Sequence, residues 1–261
     1  MESRRLEKRL RERFVKAMAT YRLIDDDDCI LVGLSGGKDS LLLTELLAKR
    51  ARIQHPRFSV EALHIRMENI SYESDTSYLK QFCESLGIRL HIVTTRFETA
   101  PSVPYTAPVA QPTKALSLPA ALHRQKQPCF LCSWNRRKQL FNLAQQLGCN
   151  KIALGHHQDD IIHTALMNLT FQGRFSTMPA SLRMRKMPLT IIRPLCLIEE
   201  ADIKAYAILH GYQKQKKLCP YETGSRRTDI QQLYADMERL NPEARYSIWN
   251  ALNAASKLIE E

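Results

Sequence analysis

Between the apolar run Cys29-Ile30-Leu31-Val32 and the helical pattern Leu41-Leu42-Leu43-Leu46-Leu47 lies Leu34-Ser35-Gly36-Gly37-Lys38-Asp39-Ser40. This order of strand, glycine turn and helix constrains the fold more than any other stretch. Adjacent glycines let backbone approach an anion closely, and the free N–H groups and positive dipole of the following helix hold it. Lys38 and the hydroxyls of Ser35 and Ser40 add donors. The segment is not a Walker A loop, which has four residues between its glycines and Ser/Thr directly after its lysine; here three separate Gly33 from Gly37, and Asp39 follows Lys38. An acid in that place repels phosphate unless a cation intervenes. Asp39 therefore reads as a Mg2+ ligand, and the loop as a site for the pyrophosphate end of ATP. An ordinary glycine turn accounts for the glycines but leaves the rest of Ser-Gly-Gly-Lys-Asp-Ser as coincidence.

The 261 residues are 44% hydrophobic, enough for one large domain or one domain with appendages, with no further catalytic domain expected. The N-terminus is charged, and no apolar run approaches the roughly 20 residues that span a bilayer, so a soluble, cytoplasmic protein without a membrane partner is expected. Seven cysteines argue for reduced thiols, metal ligation or sulfur chemistry over structural disulfides. The formal net charge of +11 points to a polyanion. Basic residues cluster at Arg4, Arg5, Lys8, Arg9, Arg11 and Arg13, at Arg136-Arg137-Lys138, at Arg183, Arg185 and Lys186, at Lys214, Lys216 and Lys217, and at Arg226-Arg227. Any single cluster is explained by a solvated helix face; together with an ATP site they make RNA the expected partner.

Leu6, Leu10, Phe14, Ala17, Met18 and Tyr21 recur at helical spacing, so residues 1–24 read as a basic amphipathic helix. Asp25 to Asp28 read as a solvated acidic turn. Strands are expected at Phe58–Ile65, Leu90–Val93, Lys151–Leu154 and Thr190–Arg193, with helical patterns separating the first three. That alternation predicts an α/β fold: a Rossmann-like, doubly wound parallel sheet with helices on both faces. The main domain is expected over residues 25–225. Within it, residues 98–127 carry Pro101, Pro104, Pro108, Pro112 and Pro119 and read as a long loop or mobile lid. Helical patterns run from Glu199 to Leu209 and from Thr228 to the C-terminus, making residues 226–261 a helical extension.

Cys129-Phe130-Leu131-Cys132 follows the Pro-rich stretch, with Cys219 far downstream. Three readings compete. A thioredoxin-like pair lacks its usual neighbours and leaves the ATP loop unexplained; a zinc site needs a fourth ligand, such as His123 or another cysteine; an iron–sulfur cluster on three cysteines leaves one iron free for substrate or sulfide. Cys29, Cys83, Cys149 and Cys196 read as small hydrophobes. The third feature is Leu154-Gly155-His156-His157-Gln158-Asp159-Asp160, at the C-terminal end of a predicted strand where open parallel sheets bind ligands. Gly155 allows close approach, and the acids can hold Mg2+ or orient a nucleoside; an N-cap explains one acid but not the pair with both histidines.

Ser35 to Ser40 resembles the PP-loop of the ATP pyrophosphatases, which cleave ATP between its α and β phosphates. The three features in this order resemble the TtcA family, the tRNA 2-thiocytidine synthetases, from the N-terminal helix to about Met237. The likeness includes Cys129 and Cys132 followed by Arg136-Arg137, Leu154-Gly155-His156-His157 with Asp159-Asp160, Met178-Pro179, Ile192-Arg193-Pro194-Leu195, and Cys219. It implies a fold of the PP-loop/adenine nucleotide alpha hydrolase type, ATP as cosubstrate, a [4Fe-4S] cluster on Cys129, Cys132 and Cys219, and thiolation of cytidine 32 in the tRNA anticodon loop. On that basis Ser35, Gly36, Gly37, Lys38, Asp39, Ser40, His64, Gly155 and His156 are expected at the nucleotide, and Asp39 and Asp160 at Mg2+. Lys38, Asp39, Asp160 and Arg136 are expected at the reacting atoms. A sulfur donor such as a cysteine desulfurase is the second partner, and a homodimer is compatible with the sequence. The chain departs from the family in a longer Pro-rich stretch and in Pro-Tyr-Glu-Thr-Gly after Cys219, where many members have another cysteine. Three alternatives stay open: a 2-thiouridine synthetase, an ATP- and RNA-binding iron–sulfur sensor without thiolation, and a ligase of the lysidine-synthetase type.

Overall fold

The computed structural model describes residues 2–96, 128–219 and 226–260. The Pro-rich stretch 98–127 and the residues directly after Cys219 lie outside them. In chain order the elements are α1 (Glu2–Thr20), β1 (Asp28–Gly33), α2 (Lys38–Ala51), β2 (Phe58–Met67), β3 (Ser71–Tyr72), α3 (Ser77–Leu86), β4 (Arg89–Thr95), α4 (Pro128–Gln146), β5 (Lys151–Ala153) and α5 (Gln158–Gln172). Then come β6 (Ser181–Arg183), β7 (Thr190–Ile192), α6 (Glu200–Leu209), β8 (Lys217–Leu218), α7 (Arg226–Leu240), α8 (Ala244–Ala254) and β9 (Ile259–Glu260).

Seven strands form one sheet in the order β4-β2-β1-β5-β7-β6-β9. The five strands from β4 to β7 are parallel, and the chain leaves β1 toward one edge and returns to the other side of it at β5. This is the doubly wound arrangement expected from the alternating pattern. Its switch point lies between β1 and β5, whose C-terminal ends carry the phosphate loop and the Gly-His-His loop side by side. The sheet is not wholly parallel: β6 runs antiparallel to β7. Only residues 184–189 join them, with Met184 N–H donating to the Leu189 carbonyl at 2.9 Å. That is too short for a crossover helix, so the chain must turn back on itself.

The apolar stripe of α1 buries Leu6, Leu10, Phe14 and Ala17 in the largest core cluster, with residues of α2, α5, α6, α7 and α8. Each fully buried side chain such as Leu10 or Phe14 contributes roughly 1.5–3 kcal/mol. Arg9 and Arg13 in the N-terminal basic run are paired with Asp202 and Glu199 of the α6 region, leaving Arg4, Arg5, Lys8 and Arg11 exposed. The expected C-terminal helix is two helices, because Pro242 cannot continue α7 and the Asn241 side chain accepts from Glu243 N–H at 3.0 Å in the turn between them. The acidic turn is only partly solvated. Asp28 is buried, and its carboxylate lies 2.7 Å from Lys151 Nζ while accepting from Asn150 Nδ2.

Candidate active site

The phosphate loop is held largely by its own backbone and hydroxyls. Ser35 Oγ lies 3.1 Å from Ser40 Oγ and accepts from Gly37 N–H at 3.3 Å, while Ser40 Oγ donates to the Gly37 carbonyl at 2.9 Å. Helix α2 starts directly at Lys38, with Gly37 as its extended N-cap, so its positive end points out of the loop. Gly36 has φ of +82°, and a Cβ there would meet Gln215 Cβ at 2.5 Å. Only glycine accepts both the torsion and the contact. Gly155 is needed for a different reason: a Cβ there would stand 3.0 Å from the Asp39 backbone carbon and 3.1 Å from Ser40 N. The absence of a side chain lets the Gly-His-His loop pack on the first turn of α2.

Lys38 Nζ lies 3.0 Å from an Asp39 oxygen and 3.0 Å from Glu200 Oε1. Burial alone would lower its pKa, but the two carboxylates raise it above the ordinary lysine value. Glu200 itself is fixed from below, because its N–H donates to Asp159 Oδ2 at 2.8 Å.

The two acids after the histidines have separate duties. Asp159 is buried and accepts from Arg245 Nη2 at 2.9 Å as well as from Glu200 N–H. Burial works against its ionisation, yet the contacts with His157 and Arg245 hold its carboxyl well below the usual aspartate range. Asp160 closes a capping box: His157 N–H donates to Asp160 Oδ2 at 3.2 Å, and Asp160 N–H donates to His157 Nδ1 at 3.4 Å. The other Asp160 oxygen accepts from Arg227 of α7. The N-cap is therefore His157, and its Nε2 sits 3.4 Å from Asp160 and 3.9 Å from Asp39. Burial opposes charge on His157, but the surrounding carboxylates raise its pKa. His156 turns away, accepting from Arg193 Nε at 3.1 Å; burial and that guanidinium push it down to about 4, so it is neutral.

Asp39 and Asp160 face one another across His157, an arrangement that suits Mg2+, which takes one or two carboxylates together with phosphate oxygens and water. Among the described residues no three His, Cys, Asp or Glu side chains are already grouped to hold a metal ion.

The cysteines lie beside this site. The two-stranded ribbon of β3 and β8 pairs Ser71 with Leu218 and Tyr72 with Lys217, and Cys219, directly after β8, packs on the small cluster of Met67 and Ile70, as Tyr72 does. Cys132 packs on the same patch. Cys129, one helical turn earlier on α4, shares a face with Cys132 and is exposed. The ribbon also touches the phosphate loop, since Gln215 N–H donates to the Gly36 carbonyl at 2.9 Å. Three thiols, two of them already on one patch, are a donor set that fits an iron–sulfur cluster in kind. Arg136, one turn after Cys132, donates from Nη2 to the Tyr72 hydroxyl at 3.5 Å, and Arg66 lies over the Tyr72 ring. His64 is buried, its Nδ1 2.8 Å from the Leu34 carbonyl. Of the other cysteines, Cys83, Cys149 and Cys196 are buried as expected, while Cys29 Sγ lies 2.6 Å from Cys149 Sγ at the N-terminal ends of the central strands β1 and β5, away from the site.

Comparison with known proteins adds to this geometry. A family model described as a PP-loop domain matches residues 4–111. A tRNA-cytidine(32) 2-sulfurtransferase from Bordetella avium is 32% identical over 97% of this chain and 74% of its own length. Its counterpart from Pseudomonas syringae pv. tomato is 32% identical over 95% of this chain and 84% of its own. The chain belongs to the tRNA-cytidine(32) 2-sulfurtransferase family. The fold is also that of a U34-tRNA thiolase, NcsA from Methanococcus maripaludis, solved with its [4Fe-4S] cluster: TM-score 0.70, 23% identity, covering 97% of this chain and 79% of that one.

Sequence reasoning within the family's motifs missed Glu200, Gln215 and Tyr72. Glu200 looks like an ordinary acid in a first helical turn, and Gln215 and Tyr72 stand in no recognisable pattern. His157 was in view as part of Gly-His-His, but its place between Asp39 and Asp160 is set by the capping box and by packing across two strands.

Proposed function

We propose that this protein is an ATP-dependent tRNA thiolase that adenylates cytidine 32 of the anticodon loop and exchanges its 2-oxygen for sulfur. One observation carries the reading: Gln215, bonded to the phosphate loop, and Cys219, packed on the same Met67 and Ile70 cluster as Cys132, belong to one short segment, which supports phosphate and sulfur chemistry at a single place.

In this mechanism ATP lies on the loop of Ser35, Gly36, Gly37, Lys38 and Ser40, and Asp39 and Asp160 would hold Mg2+, which would supply positive charge to the phosphates. The cytosine O2 attacks the α-phosphate. Lys38 and the free N–H groups at the start of α2 stabilise charge on the departing pyrophosphate, so catalysis at this step is positioning and electrostatics. Glu200 and Asp39 hold the Lys38 ammonium in place until phosphate replaces them. Adenylation turns a poor oxygen leaving group into AMP. Cys129, Cys132 and Cys219 would hold a [4Fe-4S] cluster, which would supply a binding place for the sulfur that displaces AMP at the activated carbon. The sulfur comes from an external donor of the cysteine-desulfurase kind. Arg136 faces the same space from α4, and the outer side of that helix exposes Phe130, Trp134, Arg137 and Lys138, stacking faces and cations suited to unpaired RNA bases.

The test is mass spectrometry of nucleosides from bulk tRNA in a strain lacking the gene and in the same strain complemented. Loss of 2-thiocytidine that complementation restores is the expected result. Unchanged 2-thiocytidine with loss of a 2-thiouridine moves the substrate, and no change in any thionucleoside refutes thiolation.

A further inference from the structure

Ile192-Arg193-Pro194-Leu195 is part of the family likeness and has no share in the mechanism above. Arg193 directly follows β7 and is only 6% exposed. A guanidinium is expensive to desolvate, and burial is ordinarily offset by a carboxylate, as Arg245 has in Asp159. Arg193 has no such partner among the described residues. Its Nε–H donates to His156 Nδ1 at 3.1 Å, and its Nη1 donates to the Pro179 carbonyl. Both acceptors are neutral, and burial keeps the nearby Cys196 a protonated thiol. Burial lowers the Arg193 pKa to about 10, which still leaves it charged near neutral pH. An uncharged amide could tie the two loops together. What a fixed cation adds is control over the His156 ring.

The bond determines where that ring carries its proton. A guanidinium only donates, so Nδ1 accepts and is bare. Imidazolium and the Nδ1–H tautomer are both excluded, and the single ring proton sits on Nε2. Burial and the Arg193 charge lower the His156 pKa to about 4; Arg227 and His157 act in the same direction and Asp160 against it. His156 is partly exposed. Its Nε2 has no partner among the described residues and is not one of their buried unpaired atoms, so this N–H opens to solvent. It does so from the loop whose Gly155 backs onto Asp39 and Ser40 at the start of α2.

We propose that Arg193 is a positioning residue that holds His156 as a permanent Nε2–H donor to the phosphate transferred in adenylation. The proposal rests on the thiolase reading above. As the cytosine O2 bonds to the α-phosphorus, the bond from that phosphorus to the pyrophosphate oxygen breaks and its electron pair leaves with pyrophosphate. Negative charge shifts over the phosphate oxygens, and an N–H aimed at one of them stabilises the change without giving up its proton. A ring free to switch tautomers offers that donor only part of the time.

The wild-type holoprotein, with 15N in its histidine rings, is examined by long-range 1H–15N NMR, which separates protonated from bare ring nitrogens. The His156 signal is the one missing from His156→Ala. Nδ1 is expected bare and Nε2 protonated near neutral pH; a protonated Nδ1 overturns the proposal without any further variant. In Arg193→Met the His156 pattern is expected to change while the other histidines keep theirs, and an unchanged His156 overturns the proposal. Release of pyrophosphate with tRNA is expected to slow about 100-fold in His156→Ala and about tenfold or more in Arg193→Met, the latter with its KM for ATP within about twofold. Added to His156→Ala, Arg193→Met is expected to cost no more than about a further twofold, because its effect runs through the ring. A full further loss there makes Arg193 a purely structural tie and overturns the proposal. Failure of the thiolase reading is seen separately, as absence of 2-thiocytidine from tRNA incubated with the wild-type holoprotein, ATP and sulfide.

Discussion

The phosphate loop and the cysteine patch lie against one another and are built in opposite ways. In the loop, Ser35, Gly37 and Ser40 bond to one another, Lys38 is clamped by Asp39 and Glu200, and Gly36 and Gly155 admit contacts no other residue allows. At the patch, Cys129 is exposed, Cys132 and Cys219 are half-buried, and no three metal ligands stand grouped among the described residues. The nucleotide side is complete without its ligand, because backbone geometry and helix dipoles are fixed by the sheet itself. On the proposed reading a cluster would draw the thiols of the sulfur side together, and its binding would add to the stability of that region.

The sharpest way to separate the two is Cys219→Ala. Thiolated product is expected to vanish while ATP affinity stays within about twofold, read by nucleoside mass spectrometry and calorimetry. Loss of ATP binding along with the product would mean that the two regions are one cooperative unit. Gly36→Ala attacks the contact between them. The new Cβ must displace Gln215 or the loop, and a misplacement on the order of 1 Å costs about 100-fold in turnover. Here ATP affinity and iron content are both expected to fall, and a variant that loses only one of them would break the link through Gln215.

Arg245→Met tests the scaffold behind the loop. It takes the guanidinium from the buried Asp159 carboxylate and leaves it only His157 and the Glu200 N–H, at a cost of about 2 kcal/mol, measured by denaturant unfolding. The folded pKa of Asp159 lies below the unfolded value of about 3.9, so its contribution is complete above that value and is lost as pH falls through the folded one. Wild-type protein is expected to keep this increment down to about pH 4, and the variant to show a smaller acid-dependent loss because its Asp159 is less depressed. Identical acid profiles would remove Asp159 from the argument. The smallest effect concerns the open side. Affinity for tRNA is expected to drop about tenfold between roughly 50 and 200 mM salt, as a few Lys and Arg contacts to phosphate release counterions. A flat response would mean that Arg137, Lys138 and the basic face of α1 do not meet RNA.

How far the site could be read in advance follows the same division. The loop, the helix after it and the strand before it were legible because glycine pairs, apolar runs and helical spacing are local signals. The expected strands at Phe58–Ile65 and Leu90–Val93 agree with β2 and β4 to within two residues at each end. The antiparallel β6 went unseen because Ser181-Leu182-Arg183 is too short to show a period, and the break at Asn241-Pro242 was hidden by helical patterns on either side. Asp159 and Asp160 looked like a matched pair. Their separate partners, Arg245 of α8 and Arg227 of α7, stand 86 and 67 residues away in the chain.

By itself the sequence determined the fold class, the phosphate-binding turn and the family, because each is carried by residues close together in the chain, where backbone sterics and side-chain periodicity act directly. Only the tertiary structure decided that His157 joins Asp39 to Asp160, that Glu200 holds Lys38, and that His64 Nε2 and Arg136 Nε are buried without a hydrogen-bond partner among the described residues. Those relations depend on strands and helices from distant parts of the chain meeting at one edge of the sheet. Such meetings are set by the packing of the whole core and leave no mark in the residues beside them.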